Sequence, residues 1–175
     1  SQDIPNAVIE HMVDLGLALA LPKHNDLHQI AISHFKLGAI VSTEHPLASQ
    51  KTVSFHQCLD YDVIMPKPNL SIYQQLAPLF AGAQHAIPNF KMQTSSLELM
   101  KQLILRNKGI GFQTFFGLEN EIINNRLRYI PLNDNNGIYC DLGLYARKGH
   151  YLSPATDALS RLITDEILQR GEAGQ

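Results

Sequence analysis

Three hydroxyl residues stand in a row at Thr94-Ser95-Ser96, directly before Leu97, Met100, Leu103 and Ile104, which recur at helical spacing. One of the three caps the helix, whose first-turn N–H groups have no partner within it. Hydroxyls and open N–H groups at a helix start make a donor set for an anion such as a carboxylate or phosphate. A cap needs one hydroxyl only, so a plain cap and a cap that also meets a ligand both fit. No acid, base or nucleophile accompanies the cluster, and the chemistry it implies is binding.

The other reactive residue types lead to plainer readings. Among the eight histidines, His24, His28 and His34 form the closest sets. They have no carboxylate or thiol at ligand spacing, so solvated side chains explain them better than a metal, and neither metal nor cofactor is expected. Gly109-Ile110-Gly111 follows a helix instead of opening one, and Thr114 stands where a dinucleotide turn has its third glycine. It therefore reads as a helix stop and strand start. Neither a Gly-x-Ser-x-Gly elbow nor a phosphate loop is present. Cys58 and Cys140 lack a basic neighbour that would favour a thiolate and read as buried thiols of a reducing compartment.

The elements that must position the hydroxyls read as strand, helix, strand over residues 90–116. In a parallel βαβ unit the strand's carboxyl end and the next helix's amino end face one crevice. Pro66 closes another short strand, Val63-Ile64-Met65, with Lys67 beside it as a solvated charge or a counter-ion; Gln113 lies near the end of the strand after the helix. Upstream, residues 4–14 read as an amphipathic helix. Leu15 to Leu21 reads as a strand buried on both faces, ended by Pro22, with Leu19 and Leu21 as an apolar wall at the crevice. Residues 30–33 and 35–43 read as two extended segments, Ser54 as the cap of a short helical turn, 71–80 as a helix and 81–88 as a loop rich in Ala, Gly and Pro. After the central unit come a helix (117–124), a strand (127–132), a turn (133–137), a strand (138–146) and a basic loop (147–150). A last helix opens at Ser153-Pro154, with Leu159, Leu162, Ile163 and Ile167 on one stripe. The alternation argues an α/β fold with mainly parallel sheets.

A length of 175 residues, 45% of them apolar, suits one domain or two small lobes. With 14 basic and 16 acidic residues the formal charge is −2, which supplies no basic field for nucleic acid; if DNA is a partner, other residues touch it. No apolar run reaches the length of a bilayer span and no signal peptide opens the chain, so a soluble cytoplasmic protein without membrane contact is expected.

Four stretches read in order give a more specific expectation. Asp14-Leu15-Gly16-Leu17-Ala18, Glu44-His45-Pro46-Leu47-Ala48, Lys108-Gly109-Ile110-Gly111 and the run from Arg147 to Ala155 resemble the effector-binding domain of LysR-type transcriptional regulators, at the family's spacing over nearly all of residues 7–168. The resemblance implies a type 2 periplasmic-binding-protein fold, two Rossmann-like α/β lobes joined by two crossing strands. Lobe I would hold residues 1–34 plus 137–175, and lobe II residues 35–136, with a small molecule in the cleft between them. Ser95 matches the family's frequent Thr/Ser ligand contact, with Thr94 and Ser96 beside it. Leu19 matches a strand-end position that is often polar or basic in relatives, which implies an effector with an apolar part there. Pro66 and Gln113 complete the expected ligand-binding set.

On this likeness the chain is a sensing module that binds a small anionic metabolite and modulates transcription through a homodimer, a tetramer when full length. DNA would be reached only through a winged-helix domain that precedes this one in the family. In the family that domain and the first strand, first helix and second strand of lobe I precede the Asp14 strand, and this chain lacks them. Either the chain has been shortened or its lobe I is incomplete, and the unpaired sheet edge is expected to be covered, as by a partner subunit. A solute-binding protein of a transport system shares the fold and is the alternative. An enzyme on the same scaffold would need an acid/base pair or nucleophile, and none is visible.

Overall fold

The computed structural model describes residues 3–19, 21, 23–81 and 90–173. In chain order the elements are α1 (Asp3–Ile9), β1 (Leu15–Leu19), β2 (Leu27–Ser42), α2 (Phe55–Cys58), β3 (Val63–Pro66), α3 (Ser71–Ala81), β4 (Phe90–Thr94), α4 (Leu97–Leu105), β5 (Ile110–Thr114), α5 (Glu119–Ile123), β6 (Leu127–Pro131), β7 (Tyr139–Arg147) and α6 (Pro154–Ala173). Two compact units result, unit 1 from residues 1–35 with 140–175 and unit 2 from residues 36–139. The loop read at 81–88 lies, from residue 82 on, outside the described residues, as do Ala20 and the strand-ending Pro22. No helix among the described residues is long and apolar enough to cross a membrane.

In unit 1, β7 lies between β1 and β2 and pairs antiparallel with β1, from Leu15↔Ala146 to Leu19↔Leu142. The apolar run at Leu15 to Leu21, expected to be buried on both faces, instead alternates. Its small residues, Gly16 and Ala18, are buried, while Leu17 is 39% exposed. The cause is α1: a Cβ on Gly16 would fall 2.7 Å from Ile4 Cγ2 and 2.9 Å from Val8 Cγ2, so only a bare backbone admits the helix. The segments read separately at 30–33 and 35–43 are one strand of 16 residues, in which exposed His34 pairs with Asp141 of β7 at 2.6 Å. The stripe expected on α6 is also different. Ser160, Ile167 and Gly171 are buried, whereas Leu159 and Leu162 are exposed. A side chain on Gly171 would overlap the Ser33 hydroxyl, so α6 meets the sheet through its small residues.

Unit 2 has the strand order β6-β2-β5-β3-β4. Parallel pairing is confined to β5, β3 and β4; β2 runs against both β5 and β6. The expected mainly parallel arrangement is therefore a mixed one, because the long β2 runs opposite to the strands on each side of it. Ile40, Ile64, Met100, Ile104, Leu118 and Leu127 form the buried core beneath α4 and α5. Gly111 sits where α4 crosses β5, and a Cβ there would lie 2.6 Å from Met100 Sδ and 2.8 Å from Ile104 Cδ1. Ser54 caps α2 as read, in a reciprocal box with Gln57, and the Phe55 N–H donates to the Asp134 carboxylate at 2.7 Å.

Candidate functional site

Three parallel strands of unit 2 end together. β3 finishes at Pro66, opposite Thr94 of β4, and the β3–β5 register carried on from Ile64↔Gly111 sets Gln113 beside Pro66 on the other side. Thr94 and Gln113 thus stand two strand spacings apart, roughly 10 Å. Helix α4 starts three residues beyond Thr94, so its amino end meets this carboxyl edge.

The three hydroxyls divide their work. Ser96 is the cap, in extended conformation, and its Oγ accepts the Leu99 N–H at 3.2 Å. Buried Thr94 accepts the Ser96 N–H on Oγ1 at 3.0 Å, and its carbonyl accepts the Lys67 N–H at 3.2 Å. Ser95 is exposed and makes no hydrogen bond among the described residues. The N–H groups of Leu97 and Glu98, at the first two helical positions, have no partner within α4. On β5, the Gln113 Oε1 accepts from its neighbour Thr114 at the backbone N–H (2.9 Å) and the hydroxyl (3.5 Å), which leaves the amide NH2 as a donor. Thr114, fully buried, is the positioning residue that the sequence did not reveal; its only signal was a hydroxyl at a strand end.

Of the charges near the edge, Glu98 and Lys101 are already engaged, whereas exposed Lys67, next to Pro66, has no ion-pair partner among the described residues. Glu98 is held below the usual carboxylate range by hydrogen bonds from Gln102 and then Lys101, the latter at 3.0 Å. Lys101 is held above the ordinary lysine value, first by its hydrogen bond to Glu121 at 2.7 Å. What remains at the edge is the Lys67 side chain and a set of neutral donors: the Ser95 hydroxyl, the Leu97 and Glu98 N–H groups and the Gln113 amide. Such a set holds an anion and supplies no acid, base or nucleophile. Among the described residues no group of three or more His, Cys, Asp or Glu side chains could hold a metal ion.

Five of the six expected ligand residues, Thr94, Ser95, Ser96, Pro66 and Gln113, therefore lie on one edge of unit 2. Leu19 belongs to unit 1, at the end of β1 opposite Leu142. The cysteines are buried, Cys58 in unit 2 and Cys140 in unit 1. Burial first, and then Asp134 and Asp60, push the Cys58 thiol up to about 12; burial and then Asp141 do the same for Cys140, also to about 12.

Residues 1–167 match the LysR substrate binding domain. The chain belongs to that family. Among curated LysR-type relatives, the hydrogen peroxide-inducible genes activator of Haemophilus influenzae is 22% identical over 157 residues, covering 89% of this chain and 51% of its own. The chain thus spans about half the length of that relative. Solved LysR-family structures share the fold. The CcmR regulatory domain of Synechocystis, in complex with 2-PG, is 20% identical with a TM-score of 0.77, covering 94% of this chain and 78% of that one. The effector binding domain of QuiR, in complex with shikimate, is 18% identical with a TM-score of 0.74, over 97% and 78%. HinK of Pseudomonas aeruginosa is 13% identical with a TM-score of 0.76, over 95% and 57%. The fold class is accordingly the two-lobed, periplasmic-binding-protein-like α/β fold of LysR regulatory domains.

Proposed function

We propose that this chain is the effector-sensing module of a LysR-type transcriptional regulator and that it binds a small anionic metabolite at the carboxyl edge of β3, β4 and β5. The observation that carries the reading is the family match over residues 1–167. The donor set at the start of α4 supports it by offering a place for a carboxylate or phosphate, and the family's domain is one that binds and is not ordinarily catalytic. In this reading unit 1 corresponds to lobe I and unit 2 to lobe II, and the protein works in the cytoplasm as a homodimer, tetrameric at full length. DNA contact comes from a separate N-terminal domain, in keeping with the formal charge of −2 here. A guest shifts the equilibrium between regulator states only by its difference in affinity for them.

The test is a thermal-shift and calorimetric screen of the 175-residue chain against small carboxylates, amino acids and phosphate esters, with Ser95→Ala as the companion variant. A ligand at a hundred times its dissociation constant stabilises the folded chain by about 2.7 kcal/mol. A hit weakened about tenfold by Ser95→Ala, the size expected for one hydrogen bond to a charged group, supports the reading. A hit that Ser95→Ala and Gln113→Ala both leave untouched overturns the placement at α4.

A further inference from the structure

A second feature, in unit 1 and separate from the edge just described, combines charge with an apolar floor. We propose that the cavity between the β1–β2 connection and the end of β7 binds a small organic anion with an apolar body, its acid group held by Lys23 and Lys148 and its body resting on Tyr145. The cavity has a volume of about 370 Å³, within the span of small-molecule sites. Tyr145 lines it and is buried, with its ring folded back along the strand over Gly143, where a Cβ would fall 2.5 Å from Cε2 and Cζ. Only a glycine at 143 lets the ring lie there. Burial, and then the Asp141 charge, raise the phenol above its ordinary value, so the hydroxyl is a neutral donor at physiological pH. Leu27 adds apolar wall and Gln29 an amide.

The rim carries two lysines. Lys23 and Lys148 both line the cavity, and neither has a carboxylate partner among the described residues. The nearby acid, Asp26, is not among the lining residues; its backbone N–H donates to His24 Nδ1 at 3.2 Å, and that nitrogen, its lone pair taken, lies 3.7 Å from the Asp26 carboxylate without bonding it. The two sides of the rim are tied together, because the Lys148 N–H donates to the Asp26 carbonyl at 2.8 Å. Two unpaired ammonium groups over an aromatic floor, in a chain of net negative charge, select an anion that also buries carbon.

The experiment is a ¹⁵N-resolved NMR titration of the 175-residue chain with phenylacetate, 2-phenylethanol and inorganic phosphate in parallel. Phenylacetate is expected to move the amides of Leu27, Gln29, Tyr145 and Lys148, and the double variant Lys23→Gln/Lys148→Gln to weaken that binding by about tenfold or more. Lys51→Gln, an exposed lysine of unit 2, is expected to leave it unchanged. If the neutral alcohol binds as tightly as the acid, or phosphate as tightly as phenylacetate, or if none of the three moves these amides, the proposal is overturned. The α4 site reports through the amides of residues 94–99 and the variant Ser95→Ala, so failure of either site is read separately.

Discussion

The Lys101 ammonium lies 2.7 Å from the Glu121 carboxylate, with each side chain exposed by only 13% and 12%. This pair ties α4, which presents the donor set, to α5, the helix that follows β5. It is a partly dry clamp on the helix whose amino end carries the proposed donor set.

Breaking the clamp is expected to loosen the fold. Glu121→Gln should cost about 2 kcal/mol in urea unfolding, the range for a hydrogen bond to a charged group. The folded lysine value is raised above the unfolded one, so the contribution is fully present below the ordinary value of 10.5 and fades as pH rises through the higher folded value. Wild type should therefore lose its advantage over Glu121→Gln above that pH. An advantage that instead vanished on acidification toward neutral pH would contradict the assignment to Lys101.

Ser95 and Ser96 separate recognition from capping. Ser96→Ala removes the cap hydrogen bond to Leu99 and should cost about 1 kcal/mol of stability. Ser95→Ala should leave the unfolding midpoint within about 0.5 kcal/mol of wild type, as for an exposed side chain away from any cap, while weakening the ligand. Thermal unfolding of both variants, with and without ligand, distinguishes the two roles.

The thiols are expected to be inert in the native protein. With both raised to about 12, the thiolate fraction at pH 8 is of order one in ten thousand. A disulfide-exchange reagent should label neither Cys58 nor Cys140 in the native chain and both after denaturation. Peroxide treatment should leave their masses unchanged, although a relative at 22% identity carries the name of a peroxide-inducible activator. Rapid native labelling would show that burial does not protect them.

Gly111→Ala tests the fit of α4 on β5. The added carbon would lie 2.6 Å from Met100 Sδ, and overpacking of this kind costs about 1–3 kcal/mol. Because Met100 and Ile104 belong to the core under α4, ligand affinity should fall with stability. Equal stability of the variant in urea would mean that the helix has slack at this crossing.

Much of the central unit was legible in the residues themselves. Helical spacing from Leu97 to Ile104 gave α4 and left its cap among three hydroxyls, of which Ser96 is the one, and Ser54 gave the cap of α2. Gly109 marked the end of a helix for a local reason: its φ of +145° and the Asp62 carbonyl 2.5 Å from any Cβ exclude a side chain. Where spacing misled, the deciding contact was remote in sequence. Leu17 looked buried because a run of leucines does not show that α1 covers only the Gly16 and Ala18 face. Leu159 and Leu162 looked like core because apolar spacing does not show that Gly171 and Ser33 set the approach of α6. The strand-end positions of Pro66, Thr94 and Gln113 were legible, but the hold of Thr114 on Gln113 depends on a rotamer that no spacing encodes.

The partnering of Thr94 has a consequence for how such a domain diversifies. Its hydroxyl is committed to Ser96 and its carbonyl to Lys67, while Ser96 is committed to Leu99. Ser95, between them, carries neither duty. A lineage can therefore exchange the residue at 95 while the scaffold on either side stays as it is; with 95 as the proposed effector contact, specificity would drift one codon at a time without passing through an unfolded ancestor.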